Sequence, residues 1–141
     1  MRFLGLDYGD KRVGVAVSDP DGRFSIPVET LARTPDLAQK VAELVARYDC
    51  GAVVLGLPRN LRGEQTPQTD KVQAFGEELT STLSCEIIYW DERLTTVSAS
   101  RSLQALGLTS RQQKGSLDSV AANVMLQAYL DFRKNQRHSK E

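Results

Sequence analysis

Apolar and polar residues alternate along residues 2–8 and again along residues 12–19, where Val13, Val15 and Val17 point one way and Gly14, Ala16 and Ser18 the other. Side chains of a strand alternate between faces, so both segments are predicted strands. Gly9-Asp10-Lys11 between them is a tight turn signal, and the pair reads as a β-hairpin. Pro20-Asp21-Gly22 marks a second turn, and residues 24–31 a weaker third strand. Pro27 assigns that strand to a sheet edge, because proline cannot donate to a ladder. The period then becomes helical: Leu37, Val41, Leu44, Val45 and Tyr48 recur on one face. Thr34 is the expected N-cap, with Pro35 at the first helical position. Residues 52–57 form an unbroken apolar run, expected of a parallel strand covered on both faces.

A polar loop over residues 56–66 leads to a second helix opening at Thr66-Pro67, with Val72, Phe75, Leu79 and Leu83 inward. Residues 86–90 read as another strand. A helix is expected over residues 96–106, ended by Gly107, whose missing side chain suits a left-handed C-terminal residue. The last helix carries Leu117, Val120, Ala121, Val124, Ala128, Tyr129 and Phe132 as its apolar face. The order β-β-β-α-β-α-β-α-α predicts an α/β fold, a mixed five-stranded sheet flanked by helices. The RNase H-like fold has this order, and so does one half of the actin/hexokinase-type ATPase unit. The chain's 141 residues suit one domain, over residues 1–134, with a polar tail at 135–141.

No stretch approaches the run of about 18 apolar residues that a spanning helix needs. Asp7 and Asp10 interrupt the first apolar segment, which is not a signal peptide, so a cytoplasmic location and no membrane partner are expected. Cys50 and Cys85 lack metal-ligand spacing and read as small buried side chains. Formal net charge is zero. That counts against a broad nucleic-acid surface, since phosphate contacts dominate such affinity, but leaves room for local basic patches.

Three acidic positions stand out. Asp7 closes the first strand, Asp91-Glu92 follow the last strand, and Asp118 lies early in the final helix at the border of its apolar face. Singly, each has a plain explanation: a turn cap, a helix cap, a first-turn acid favoured by the helix dipole. Together, these points can converge on one sheet edge. Carboxylate oxygens suit hard cations such as Mg²⁺ or Mn²⁺. Two such ions about 3.5–4 Å apart can activate water and stabilise a leaving oxygen in phosphodiester cleavage. The sole histidine, His138, sits in the tail, which disfavours histidine-dependent schemes. Lys11 and Arg12 in one loop, and Arg59, Asn60 and Arg62 in another, are candidate phosphate or sugar contacts. Arg93, Arg111 and Lys114 lie near the predicted acids and join them.

Four segments carry a resemblance: GLDYGDKRVGVAVSD, VVLGLPRNLRGE, WDERLTT and KGSLDSVAANVMLQAYL. In this order they span nearly the whole domain, and the chain resembles the YqgF family, described as Holliday junction resolvase-like or as pre-16S rRNA nuclease. The resemblance implies an RNase H-like fold and metal-dependent phosphodiester cleavage by a nuclease. It implies a role in maturing the 5′ end of the 16S rRNA precursor, with ribosomal particles as possible partners and a four-way DNA junction as the alternative substrate. It implies a site of Asp7, an acid of the WDER segment and Asp118. Glu92 is the expected ligand there, with Asp91 as its replacement. Junction resolvases carry a fourth acid close after the last one. Asp118-Ser119-Val120-Ala121-Ala122 supplies none, which leaves the number of metals open. Monomer and homodimer are both open. Two other functions compete: a phosphotransfer module built on the Asp-Tyr-Gly turn, which normally needs a second half, and a non-catalytic RNA-binding assembly factor, which the neutral charge favours.

Overall fold

The computed structural model describes residues 1–9, 11–58, 62–94 and 110–139, with the side chains of the last helix described over residues 118–136. Strands β1 (Arg2–Tyr8), β2 (Arg12–Ser18) and β3 (Ser25–Ala32) form an antiparallel meander. Helix α1 (Leu37–Tyr48), strand β4 (Cys50–Leu57), helix α2 (Pro67–Thr82) and strand β5 (Glu86–Asp91) follow. A short 3₁₀ turn (Glu92–Leu94) and the long helix α3 (Ser110–Ser139) complete the described chain. The five strands make one mixed sheet in the order β3-β2-β1-β4-β5, with β4 parallel to both β1 and β5. Pro27 does lie on an edge strand, as its missing N–H requires.

This topology decides where the strand ends fall. β1, β3, β4 and β5 all run in one direction, so their carboxyl ends share one edge of the sheet, where β2 begins. Ligands of open α/β sheets favour that edge, at the point where chain connections diverge to either side. Here it is between β1 and β4.

Face alternation divides the core in two. Leu4, Leu6, Val13, Val15, Val17, Val53, Leu55 and Leu57 face α1 and α2. Phe3, Ala16, Ala52, Val54 and Trp90 face α3. The α2 start follows its local code: Thr66 is the N-cap, its hydroxyl accepts from the Thr69 amide at 3.3 Å, and Pro67 opens the helix. The Thr69 hydroxyl also donates to the Pro58 carbonyl, tying α2 to the end of β4.

Three expectations change. Helix α1 begins at Leu37 with Asp36 at the N-cap; Thr34 and Pro35 lie in the preceding turn, where the Thr34 hydroxyl meets the Asp36 carboxylate. Of the face expected for α3, Ala128 and Tyr129 pack against the sheet and Val120 and Val124 are buried, but the stripe at the sheet centres on Ala122, Met125, Leu126 and Leu130, which were not expected there. Apolar residues nearly encircle this helix, so periodicity alone does not choose its inner side. Asp118 is not in the first turn of the helix, which begins at Ser110. The dipole effect, confined to the first turn, therefore does not account for it. The helix expected over residues 96–106, with its end at Gly107, lies outside the described residues.

Candidate active site

Asp7 is the penultimate residue of β1, on the face covered by α3, with Gly14 of β2 directly opposite. Gly14 explains how helix and strand meet. A Cβ there would lie 1.8 Å from the Asp118 carbonyl oxygen and 2.3 Å from its carbon. Only glycine lets the α3 backbone descend this far onto the hairpin. Asp118 precedes Ala122, Met125 and Leu126 by four, seven and eight residues. It thus lies in line with the sheet-facing stripe of α3.

Asp91 closes β5, and its carboxylate accepts from the Arg93 amide at 3.0 Å. Its other oxygen pairs with the Arg93 guanidinium at 2.7 Å. Asp91 therefore caps the 3₁₀ turn that Glu92 begins. That turn sends Glu92 over β4 at Gly56, where a Cβ would stand 2.7 Å from Glu92 Oε1 and 2.6 Å from Met125 Sδ. Two close approaches of α3 or the turn to the sheet, at Gly14 and Gly56, thus flank Asp7.

Gly56 follows Leu55, the β4 partner of Leu6, so Glu92 over Gly56 comes beside Asp7. Burial first, then the neighbouring carboxyl of Asp7, then the charge of Asp91 push Glu92 up to about 9. Asp118 is raised as well, by burial and then by Asp7, while Arg12 opposes the shift. The charged forms of Glu92 and Asp118 are thus both disfavoured at this edge. Among the described residues, no three acid, histidine or cysteine groups already form a metal cage. The donors nevertheless fit a hard divalent cation: all are carboxylate oxygens, and a cation would offset the burial and neighbouring charge that raise Glu92.

Lys11 and Arg12 are exposed at the same edge, where β2 begins. Arg93 is engaged by Asp91 and reaches the 62–64 segment: a Cβ on Gly63 would lie 2.9 Å from one guanidinium nitrogen. Arg62 is exposed in that segment. Arg59 and Asn60 lie outside the described residues, and so do the side chains of Arg111 and Lys114. Sequence reasoning missed Gly14 and Gly56, whose signal is the small-residue face of their strands. It also missed Arg33, which contacts the β1–β2 turn.

Residues 1–132 match the family described as "RuvX: Holliday junction resolvase". A protein of Chloroflexus aurantiacus named "Putative pre-16S rRNA nuclease" is 44% identical over 135 residues, covering 94% of this chain and 88% of that protein. One of the same name from Caldanaerobacter subterraneus is 41% identical over 138 residues, covering 96% and 99%. Among solved structures, Thermus thermophilus RuvC in complex with a Holliday junction substrate aligns with a TM-score of 0.62 at 17% identity, covering 95% of this chain and 96% of that one. The fowlpox virus resolvase in its junction complex aligns at 0.61 and 14%, covering 94% and 98%. These structural likenesses establish the RNase H-like fold.

Proposed function

The chain belongs to the RuvX family, and on that premise we propose that it is a nuclease that uses Mg²⁺ or Mn²⁺ to cut the 5′ region of precursor 16S rRNA. The observation that carries this reading is the convergence at the carboxyl edge of the sheet: Asp7 on β1, Glu92 over Gly56 of β4 and the Asp118 backbone over Gly14 of β2. Asp7, Glu92 and Asp118 would hold the cation. When bound, it supplies Lewis acidity and a more acidic water for attack on phosphorus. Asp7 is fixed by its ladder in β1, and Glu92 by the turn that Asp91 caps. Lys11 and Arg12, exposed where β2 begins, and Arg62, exposed beside Gly63, are the proposed phosphate contacts, with Arg59, Asn60, Arg111 and Lys114.

The names of the curated relatives support precursor rRNA as substrate and, with it, a cytoplasmic location and ribosomal particles as partners, for a monomer or homodimer. None of the described helices is long and apolar enough to cross a membrane. The family description favours a second reading, a four-way DNA junction. Purified protein with Mn²⁺ should cut precursor rRNA in preference to a four-way junction and should be inert in chelator. Preference for the junction selects the second reading. No metal-dependent cleavage of either substrate overturns both.

A further inference from the structure

We propose that Arg33 is a positioning residue, which clamps the β1–β2 turn and thereby sets the direction of Asp7. The activity readouts of this inference rest on the nuclease reading; its structural readout does not. Arg33 directly follows β3, so it too lies at the carboxyl edge. Its guanidinium carbon stands 4.4 Å from the centre of the Tyr8 ring, over its face. One guanidinium nitrogen donates to the Gly9 carbonyl at 3.2 Å, and the Arg33 backbone amide donates to the Lys11 carbonyl at 3.4 Å. The turn itself is closed by the Gly9 amide donating to the Arg12 carbonyl at 2.8 Å. On its other side Tyr8 meets Phe75 of α2, with ring centres 4.9 Å apart.

Tyr8 is therefore held between a helix and a guanidinium, on the opposite face of β1 from Asp7. Fixing residues 8, 9 and 11 from behind limits the backbone torsions that aim the Asp7 carboxylate. Arginine suits the task because its planar group can stack and donate sideways at once. A lysine ammonium keeps the charge but not that fork.

The test compares the wild type with Arg33→Met, Arg33→Lys, Tyr8→Leu and the Arg33→Met/Tyr8→Leu double variant. Amide hydrogen exchange of the peptide spanning residues 8–12 is read beside kcat, KM and Tm for cleavage in Mn²⁺. Arg33→Met and Tyr8→Leu should each speed that exchange roughly tenfold or more, as expected of a lost local clamp. They should lower kcat by about tenfold, because small misplacements of reacting groups are costly, while KM stays within about twofold of wild type. Arg33→Lys should resemble Arg33→Met, and the double variant should be no worse than Tyr8→Leu. Unchanged exchange overturns the proposal. So does a rise in KM with a flatter salt slope and intact kcat, which would make Arg33 a direct phosphate contact. A fall in kcat that merely tracks the loss of folded protein also overturns it. Absence of cleavage by the wild type would count against the nuclease reading alone, and the exchange rates would still decide the clamp.

Discussion

The two faces of the sheet solve opposite problems. One presents Leu4, Leu6, Val13, Val15, Val17, Val53, Leu55 and Leu57 to two helices and excludes water by bulk. The other, besides Phe3, Val54 and Trp90, presents Gly5, Gly14, Ala16, Ala52 and Gly56, so that α3 and the turn after β5 come down onto the strands themselves. Bulk gives stability, since buried aliphatic side chains supply most of the driving force. Smallness gives proximity, and proximity gathers acids that would otherwise be solvated apart. The carboxylate cluster is thus a cost that the aliphatic face offsets, and substitutions on the two faces should separate stability from chemistry.

The largest expected effect is Asp7→Asn. Cleavage should fall by more than the ~100-fold typical of groups that only support metal ligands. The metal-free Tm should hold or rise, because a like charge has been removed. Cleavage at the wild-type rate would remove Asp7 from the site. Asp118→Asn should be nearly as damaging, and Glu92→Gln more damaging than Asp91→Asn, whose carboxylate caps the turn. The reverse ranking would give the ligand role to Asp91.

Leu6→Ala is the counterpart on the aliphatic face. It should cost about 2–5 kcal/mol of stability while the folded fraction keeps its kcat. Gly14→Ala couples the two properties. Its new methyl meets the backbone of Asp118, which cannot swing aside as a side chain can. The helix must shift, at about 1–3 kcal/mol, and activity should fall beyond that loss of stability. Urea unfolding beside single-turnover kinetics measures both; full activity in a folded Gly14→Ala protein would contradict the close-approach account.

The elements were legible wherever the code is local. The hairpin shows in its alternation, and the start of α2 in Thr66-Pro67. The inner face of α3 was legible only in part, because a helix apolar on most sides takes its orientation from the surface that receives it. Asp7 and Asp91-Glu92 could be named from the ends of strands, and Asp118 from its place in the last helix. What brings them together is two glycines on other strands, and no periodicity links those to the acids. Arg33 was invisible for a related reason: its hydrogen-bond partner Gly9 is 24 residues away.

A smaller effect concerns pH. Glu92 stands at about 9 in the folded protein against an ordinary value of 4.5. Between those values the folded state binds the additional proton, so stability of the metal-free protein should decline as pH rises through that window. Glu92→Gln should flatten the decline seen in thermal melts. A wild-type profile level from pH 5 to 9 would mean that Glu92 is ionised throughout. The smallest effect is expected from Arg59→Ala/Arg62→Ala, which should weaken substrate binding in Ca²⁺ and flatten its salt dependence while saturated turnover falls less.

The central proposal is that metal binding displaces the proton that burial and neighbouring charge hold on Glu92. Calorimetric titration of Mn²⁺ at pH 7, in two buffers of different ionisation enthalpy, measures this directly, because ligands must deprotonate to bind. The wild type should release about one proton per binding event, and Glu92→Gln should bind more weakly and release close to none. Tight Mn²⁺ binding with no proton release, or binding unchanged in Asp7→Asn, would contradict the account.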